Sequence, residues 1–457
     1  MCTMAGTRLG YFHETVTAEP DGHVVTETES RMLARRGGDL TRAEVDERWV
    51  ELETGEALSY RSVRMLSAQP TELVVTVDSE DMLTLKRTSG DDVSFSTLES
   101  DAAMAFPEAV RTLHEGRGFV PGDAYTYAQF DGAFEKVGRT NVTVVGEEGI
   151  LVAGEFRALN RLVLRSDLYP GIETIEWLDD EGRVWRSEIP ATGLVLERTS
   201  REAALGEGEL ADLMASMSVP TDTKIADPHD VDNALYEVWI DGDDALRVIP
   251  QDARQRIEGR TERGAVLSVR RVVPGAAARP RATPPSGMEQ YLEGNALLQT
   301  WYPLLIAAAA KSVRGAGGDA WEGAKLVERF VFDNIDHKGF GTAFGSATEV
   351  LSTRSGDCSE HAVLMAAMTR AVGIPSKLAE GLVYFEGQFA YHMWVEVWTG
   401  DGWYALDPTV GGGSVDATHI KLAESAAKDG VVADLSASVL RTLGRLHVRV
   451  VSYSSQG

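Results

Sequence analysis

Two cysteines in 457 residues, Cys2 and Cys358, leave no disulfide framework and exclude a zinc site built from paired cysteines. A bond between the two would consume a reactive thiol and is not expected. Basic residues are scarce as well. Lys and Arg number 44 against 70 Asp and Glu, a net charge of −26, and nucleic acid or anionic membrane as main partner would need a basic face. Long apolar runs are missing: the longest, Tyr302 to Ala310 with Pro303 inside it, is too short to cross a bilayer, so no integral membrane segment is expected. Residues 1–20 lack the basic start and apolar core of a signal peptide. What remains is an ordinary globular composition, 43% hydrophobic and 25% charged, able to bury a real core and long enough for more than one domain.

Along the chain, residues 1–200 read as a β-rich accessory domain. Val24 to Glu29, Leu73 to Val77 and Leu162 to Leu164 alternate or run apolar between acidic turns, and one short helix is expected near Phe106 to Glu115. Residues 201–229 read as a helical connector, with the helix over 201–217, and 230–273 as a small β unit. The stretch 274–287, rich in Pro, Ala, Gly and Arg, reads as a linker, and 288–457 as a helix-opened α+β domain. In that last domain Asp319 with Glu322 resembles a capping box, Ile420 to Ala427 reads as a helix, and Leu446 to Val451 as a final strand. Asp227 to Asp232 and Asp241 to Asp244 contain carboxylates but read as a solvated loop and a turn, so no metal and no cofactor is expected.

The chemistry concentrates in one stretch. Val363, Leu364, Ala367, Met368, Ala371 and Val372 recur at helical spacing, Gly373 and Pro375 stop the helix, and Ser355-Gly356-Asp357 open it. Cys358 therefore falls in a first turn, where free N–H groups and the helix dipole favour a thiolate; an inert structural cysteine is the bland alternative. The period then changes to two. Residues 378–385, 388–398 and 403–409 read as a meander turning at Glu386-Gly387 and at Thr399 to Gly402. A two-residue loop after Trp398 pairs His392 directly with Asp407, and a four-residue loop makes Asp407 its diagonal neighbour. Either even loop puts imidazole and carboxylate on one face; an odd loop or a bulge separates them.

The blocks Gly356-Asp357-Cys358, Gly373-Ile374-Pro375, His392-Met393-Trp394-Val395-Glu396 and Trp403 to Thr409, in that order, resemble the transglutaminase-like superfamily, a set of papain-related α+β folds, over about residues 320 to 410. The resemblance implies a Cys358 nucleophile, a His392 base and an Asp407 orienter acting on amide bonds of a protein or peptide substrate. Lys377, where relatives commonly carry Arg, is expected to alter only a packing or surface contact. Tyr384, Tyr391 and Trp394 are expected to line the substrate cleft, although Trp394 also suits a core. The N–H of Cys358 is one candidate oxyanion donor, and the segment Gly339 to Thr342 is considered for a second. Abundant Arg, Ala and Gly suggest a bacterial source. The resemblance implies export or lipid anchoring, with Cys2 either a lipidation remnant or a meaningless terminal residue, and otherwise the cytoplasm. The competing reading is a non-catalytic assembly protein that uses the domain as a scaffold. Oligomeric state is left open.

Overall fold

The computed structural model describes residues 1–36, 39–67, 69–78, 82–213, 218–275, 286–337, 339, 344–427 and 433–455. The chain divides into two compact units, Met1–Leu213 and Met214–Gly457. The first is one antiparallel sheet of fourteen strands. Two meanders build it: seven strands run consecutively from Thr7–Ala18 to Asp92–Glu99, and six from Ala124–Asp131 to Leu194–Glu197. Both meet on the short strand Cys2–Met4, which pairs Met4 with Thr7 on one side and with Leu194 on the other. The helix expected near Phe106 spans Pro107–Arg117, with the proline at its first turn, where a missing N–H costs nothing. The core of this unit gathers Trp49, Tyr60, Leu83, Leu85, Phe106 and Phe130.

The second unit packs helices against a five-stranded antiparallel sheet and adds a four-stranded sheet. In the five-stranded sheet Ser376–Phe385 pairs Gln388–Trp398 through the Glu386-Gly387 turn, whose residues take φ of 48° and 93° as a two-residue hairpin of primed type requires. Trp403–Leu406 returns along Gln388–Trp398 with Trp398 opposite Trp403, so the second loop has four residues. On the same edge Ser218–Pro220 pairs residues 388–390. Residues 391–394 lie between these two partners, and His392 sits in that gap.

Several sequence expectations are corrected here. The helix expected over 201–217 is interrupted: Arg201–Leu205 is helical, residues 210 and 212 form isolated bridges, and 214–217 lie outside the described residues. Ile420 to Ala427 is not a helix but the strand His419–Ser425, paired to Ser376–Phe385. Both of its faces are buried over residues 419–422, so the polar His419 and Lys421 are covered as fully as the apolar Ile420 and Leu422. Gly381 permits this pairing: a Cβ there would sit 1.9 Å from the carbonyl oxygen of Ile420. The final strand, Leu446–Ser455, pairs with Val231–Ile240, so the segment at 230–273 and the chain's last strand share one sheet. The linker expected at 274–287 falls largely on residues 276–285, outside the described residues.

Candidate active site

The helix Cys358–Ala371 begins at the thiol itself. Asp357 is its N-cap, accepting the Ser359 N–H at 2.7 Å, while Glu360 reaches back to the Asp357 N–H at 2.9 Å. The sequence reading recognised Asp357 as a cap residue but not Glu360 as its reciprocal partner. Glu360 also accepts the Gly345 N–H at 2.8 Å, and burial together with the Asp357 charge pushes its acid up to about 8. Gly356 is required before the cap, because a Cβ there would lie 2.2 Å from the Glu360 Cβ. His361 is buried and gives its Nδ1 hydrogen to the Asp357 carbonyl at 2.6 Å, a structural bond inside the helix start. Behind the thiol, Val363, Leu364, Ala367 and Met368 pack into the core with Val395 and Val397.

Cys358 is half-buried and unbonded to any other cysteine. His392 donates from Nε2 to Oδ2 of Asp407 at 2.9 Å. Burial of the ring opposes its charge. The Asp407 carboxylate and the Cys358 sulfur, by charge and by hydrogen bonding, outweigh that penalty and hold His392 well above the ordinary imidazole value. Asp407 shows the mirror image: burial opposes its ionisation, and His392 and His419 together hold it well below the usual carboxylate range. The three side chains singled out from sequence thus converge, with Asp407 placed diagonally by the four-residue loop.

Asp407 is more heavily bonded than the sequence suggested. Thr409 gives its N–H at 2.9 Å and its hydroxyl at 2.5 Å to Oδ1, and His419 approaches Oδ2 at 3.3 Å. The other nitrogen of His419 meets Asp416 Oδ1 at 3.1 Å, and Asp416 Oδ2 meets His229 at 3.2 Å. Asp227 to Asp232 is therefore more than a solvated loop, since His229 ends this chain of groups. His392, Asp407 and His419 offer three ligand-type atoms within 4.8 Å, and their contacts at 2.9 and 3.3 Å are those of hydrogen bonds to one shared oxygen. Sequence reasoning missed His419 because its strand was taken for a helix; the period of two over residues 418–422 was the available signal.

Charged side chains hold the strands around the site. Lys421, fully buried, contacts Glu396 at 2.9 Å, Glu424 at 2.7 Å and Asp252 at 2.5 Å. Lys377, expected to touch only packing or surface, is buried and pairs Glu396 at 3.2 Å and Glu424 at 2.7 Å. Gln255 clips the Lys421 backbone from both sides, donating to its carbonyl and accepting its N–H, each at 2.8 Å. Glu328 lies against the backbone N–H groups of Asp407 and Gly413; burial and the nearby Asp407 charge push its acid up to about 8.

The expected substrate-lining residues are corrected. Tyr384 is buried, accepting the Ile225 N–H at 2.9 Å, and Tyr391 is buried with its hydroxyl donating to Thr442 at 3.0 Å. Tyr391 has the opposite parity to His392, so the alternation of a strand already directs it away from the imidazole. Trp394 is fully buried, packed with Ala379, Ala405 and Val415, and its ring lies 5.5 Å from that of His419. None of the three is free to meet a substrate. Of the segment considered for a second oxyanion donor, residues 340–342 lie outside the described residues.

Residues 306–408 match the family profile of the transglutaminase-like superfamily, a span that contains Cys358, His392 and Asp407. A protein-glutamine gamma-glutamyltransferase of Pseudomonas aeruginosa is 36% identical over 74 residues, 13% of this chain and 11% of that protein. The chain thus spans about a tenth of that relative's length. Among solved structures, one described as a cysteine protease from Cytophaga hutchinsonii aligns with 50% of this chain and 84% of its own at 14% identity and a TM-score of 0.33. A β-barrel-like protein from Brucella abortus aligns with 44% of this chain and 86% of its own at 11% identity and a TM-score of 0.33. No described helix is long and apolar enough to cross a membrane. The chain carries, over residues 306–408, a domain of the transglutaminase-like superfamily.

Proposed function

We propose that this domain is a cysteine-dependent acyl-transfer enzyme acting on amide bonds of proteins or peptides, with a papain-like arrangement of Cys358, His392 and Asp407. The observation that supports the reading is a helix-start thiol beside an imidazole whose charged form that sulfur and Asp407 together favour, with the Asp407 carboxylate holding Nε2 of the ring. In the reaction Cys358 Sγ attacks the amide carbon, and a tetrahedral oxyanion forms that the Cys358 N–H is placed to receive. His392 then gives its proton to the leaving amine as the C–N bond breaks, leaving a thioester. Water or a primary amine attacks the thioester, His392 takes the nucleophile's proton, and the C–S bond breaks to release Sγ as the thiolate. Such proton transfer contributes about 10²–10⁴-fold. Asp407 keeps Nε2–H occupied and so fixes the tautomer.

Hydrolysis is the favoured outcome, since water is always available and no amine-donor site stands out among the described residues. The name of the partial relative from Pseudomonas aeruginosa makes transamidation of a glutamine side chain the amine-dependent branch. The β-rich first unit supplies an accessory or positioning role. The test is a peptide library treated with wild type and with Cys358→Ala, with and without an added primary amine, read by mass. Cleavage, ammonia loss or amine incorporation seen only with wild type supports the reading. Identical spectra from both proteins, together with iodoacetamide labelling of Cys358 that is sluggish and unaffected by His392→Ala, would overturn it in favour of a scaffold.

A further inference from the structure

His419 is a buried imidazole with a carboxylate on each side. Its ring is almost wholly removed from solvent, so the protein itself must supply its hydrogen-bond partners. Nε2 faces Asp407 Oδ2 at 3.3 Å and Nδ1 faces Asp416 Oδ1 at 3.1 Å. Both carboxylates are already supplied with donors. Asp407 Oδ1 takes both groups of Thr409, and Oδ2 takes His392. Asp416 Oδ1 takes the Thr418 N–H at 2.8 Å and hydroxyl at 2.6 Å, and Oδ2 takes His229. A carboxylate bonded in this way is ionised and has no hydrogen to give. Both nitrogens of His419 must then donate, and a ring that donates from both is an imidazolium.

We propose that His419, held in its charged form by Asp416, is a positioning residue for the reaction of Cys358, His392 and Asp407: it fixes the orienting carboxylate from behind and offsets part of the negative charge that His392 feels. This rests on the enzymatic reading given above. The groups facing His419 are Asp407, Asp416, the His392 ring with centroids 5.7 Å apart, the Trp394 ring, and Arg254, whose guanidinium donates to the carbonyls of Asp416 at 2.8 Å and His419 at 3.5 Å. Consistent with that bookkeeping, burial opposes the ionisation of Asp416, yet the charge of His419 and the bonds from His229 and His419 hold it well below the usual carboxylate range. Asp407 alone would bind the proton of His392 tightly, which favours the ion pair but disfavours release of that proton to a leaving amine. A second positive charge on the same carboxylate oxygen moderates that grip.

The sign of the effect is specific. Removing a positive charge 5.7 Å from His392 makes every deprotonation at the site harder. At an effective dielectric near 20, both limbs of the pH profile for Cys358 alkylation should move up by about one to two pH units. The experiment measures iodoacetamide labelling of Cys358 from about pH 4 to about pH 10 in wild type, His419→Gln and Asp416→Asn. Glutamine keeps a donor for Asp407 while deleting the charge. Asp416→Asn leaves His419 in place but removes the negative charge that holds its second hydrogen, so it should shift the limbs the same way by less. A purely structural role would lower labelling at all pH values and leave the limbs where they are. As a measurement independent of either variant's folding, nitrogen-15 spectra of histidine-labelled wild type should show hydrogen on both ring nitrogens of His419. A neutral His419 ring, or folded variants with unshifted limbs, overturns the proposal while leaving the enzymatic reading standing. Labelling in wild type that ignores His392→Ala fails the enzymatic reading itself, and the positioning role with it.

Discussion

Replacing Asp407 by Asn tests the electrostatic core of the site. The carboxylate meets His392 at 2.9 Å and His419 at 3.3 Å, with both rings and the acid removed from bulk water. At an effective dielectric near 20, a unit charge pair at 2.9 Å is worth about 6 kcal/mol before desolvation is subtracted. Breaking a buried pair by removing one partner costs about 3–5 kcal/mol in practice. At 1.36 kcal/mol per pH unit, His392 should lose its proton roughly two to four units lower in Asp407→Asn. The alkaline limb of Cys358 alkylation then moves down, opposite to the shift expected for His419→Gln, and labelling at about pH 7 falls tenfold or more. Stability should respond with defined signs. The raised His392 contributes fully below about pH 6.5, and its share is lost as pH rises through its folded value. The depressed Asp407 contributes above about pH 3.9, and its share is lost as pH falls through its folded value. Denaturant unfolding of Asp407→Asn should therefore show weaker stability near neutrality and a shallower decline below about pH 4. An alkaline limb that stays within half a unit of wild type, or that moves upward, would refute the reasoning.

Two further outcomes are expected. Lys421→Met leaves Glu396 and Glu424 to Lys377 and takes the ammonium away from Asp252; urea unfolding followed through tryptophan fluorescence should register a loss of about 3–5 kcal/mol, partly recovered in acid as carboxylates protonate. Gly356→Ala drives a Cβ into the Glu360 side chain at the cap of the nucleophile helix, so a stability loss of about 1–3 kcal/mol and slower alkylation of Cys358 should appear together; unchanged alkylation would uncouple that cap from the thiol.

How much of this was legible before any coordinates depended on whether the signal was local. Cys358, Asp357 and the stripe behind them follow from helical period and capping chemistry, and His392 and Asp407 share a face for any even hairpin loop. The Glu386-Gly387 turn was readable from its two residues. By contrast, Asp416 and His229 are separated by 187 positions, and nothing in either segment announces the other. Lys377, Lys421 and Glu396 look like solvated charges in a sequence, because burial of an ion cluster depends on strands that meet only in the fold. His419 was lost when a strand covered on both faces was taken for a helix. Tyr391 was misplaced by proximity in sequence, although its parity pointed away from His392.

The fourteen-stranded sheet is stitched at its middle by its earliest residues. Within each meander every strand hydrogen-bonds to its neighbours in sequence, so both halves can form by short-range closure. Their union is of another order: Cys2 meets Leu196, Thr3 meets Val195 and Met4 meets Leu194, a loop of nearly two hundred residues closed by three pairings. The seam can close only once the far end of the second ribbon is in place, over a core in which Phe130 of the second ribbon packs on Tyr60 of the first. Trimming a handful of residues at the seam would therefore split a continuous surface into two sheets, each with a newly bare edge open to association with another chain.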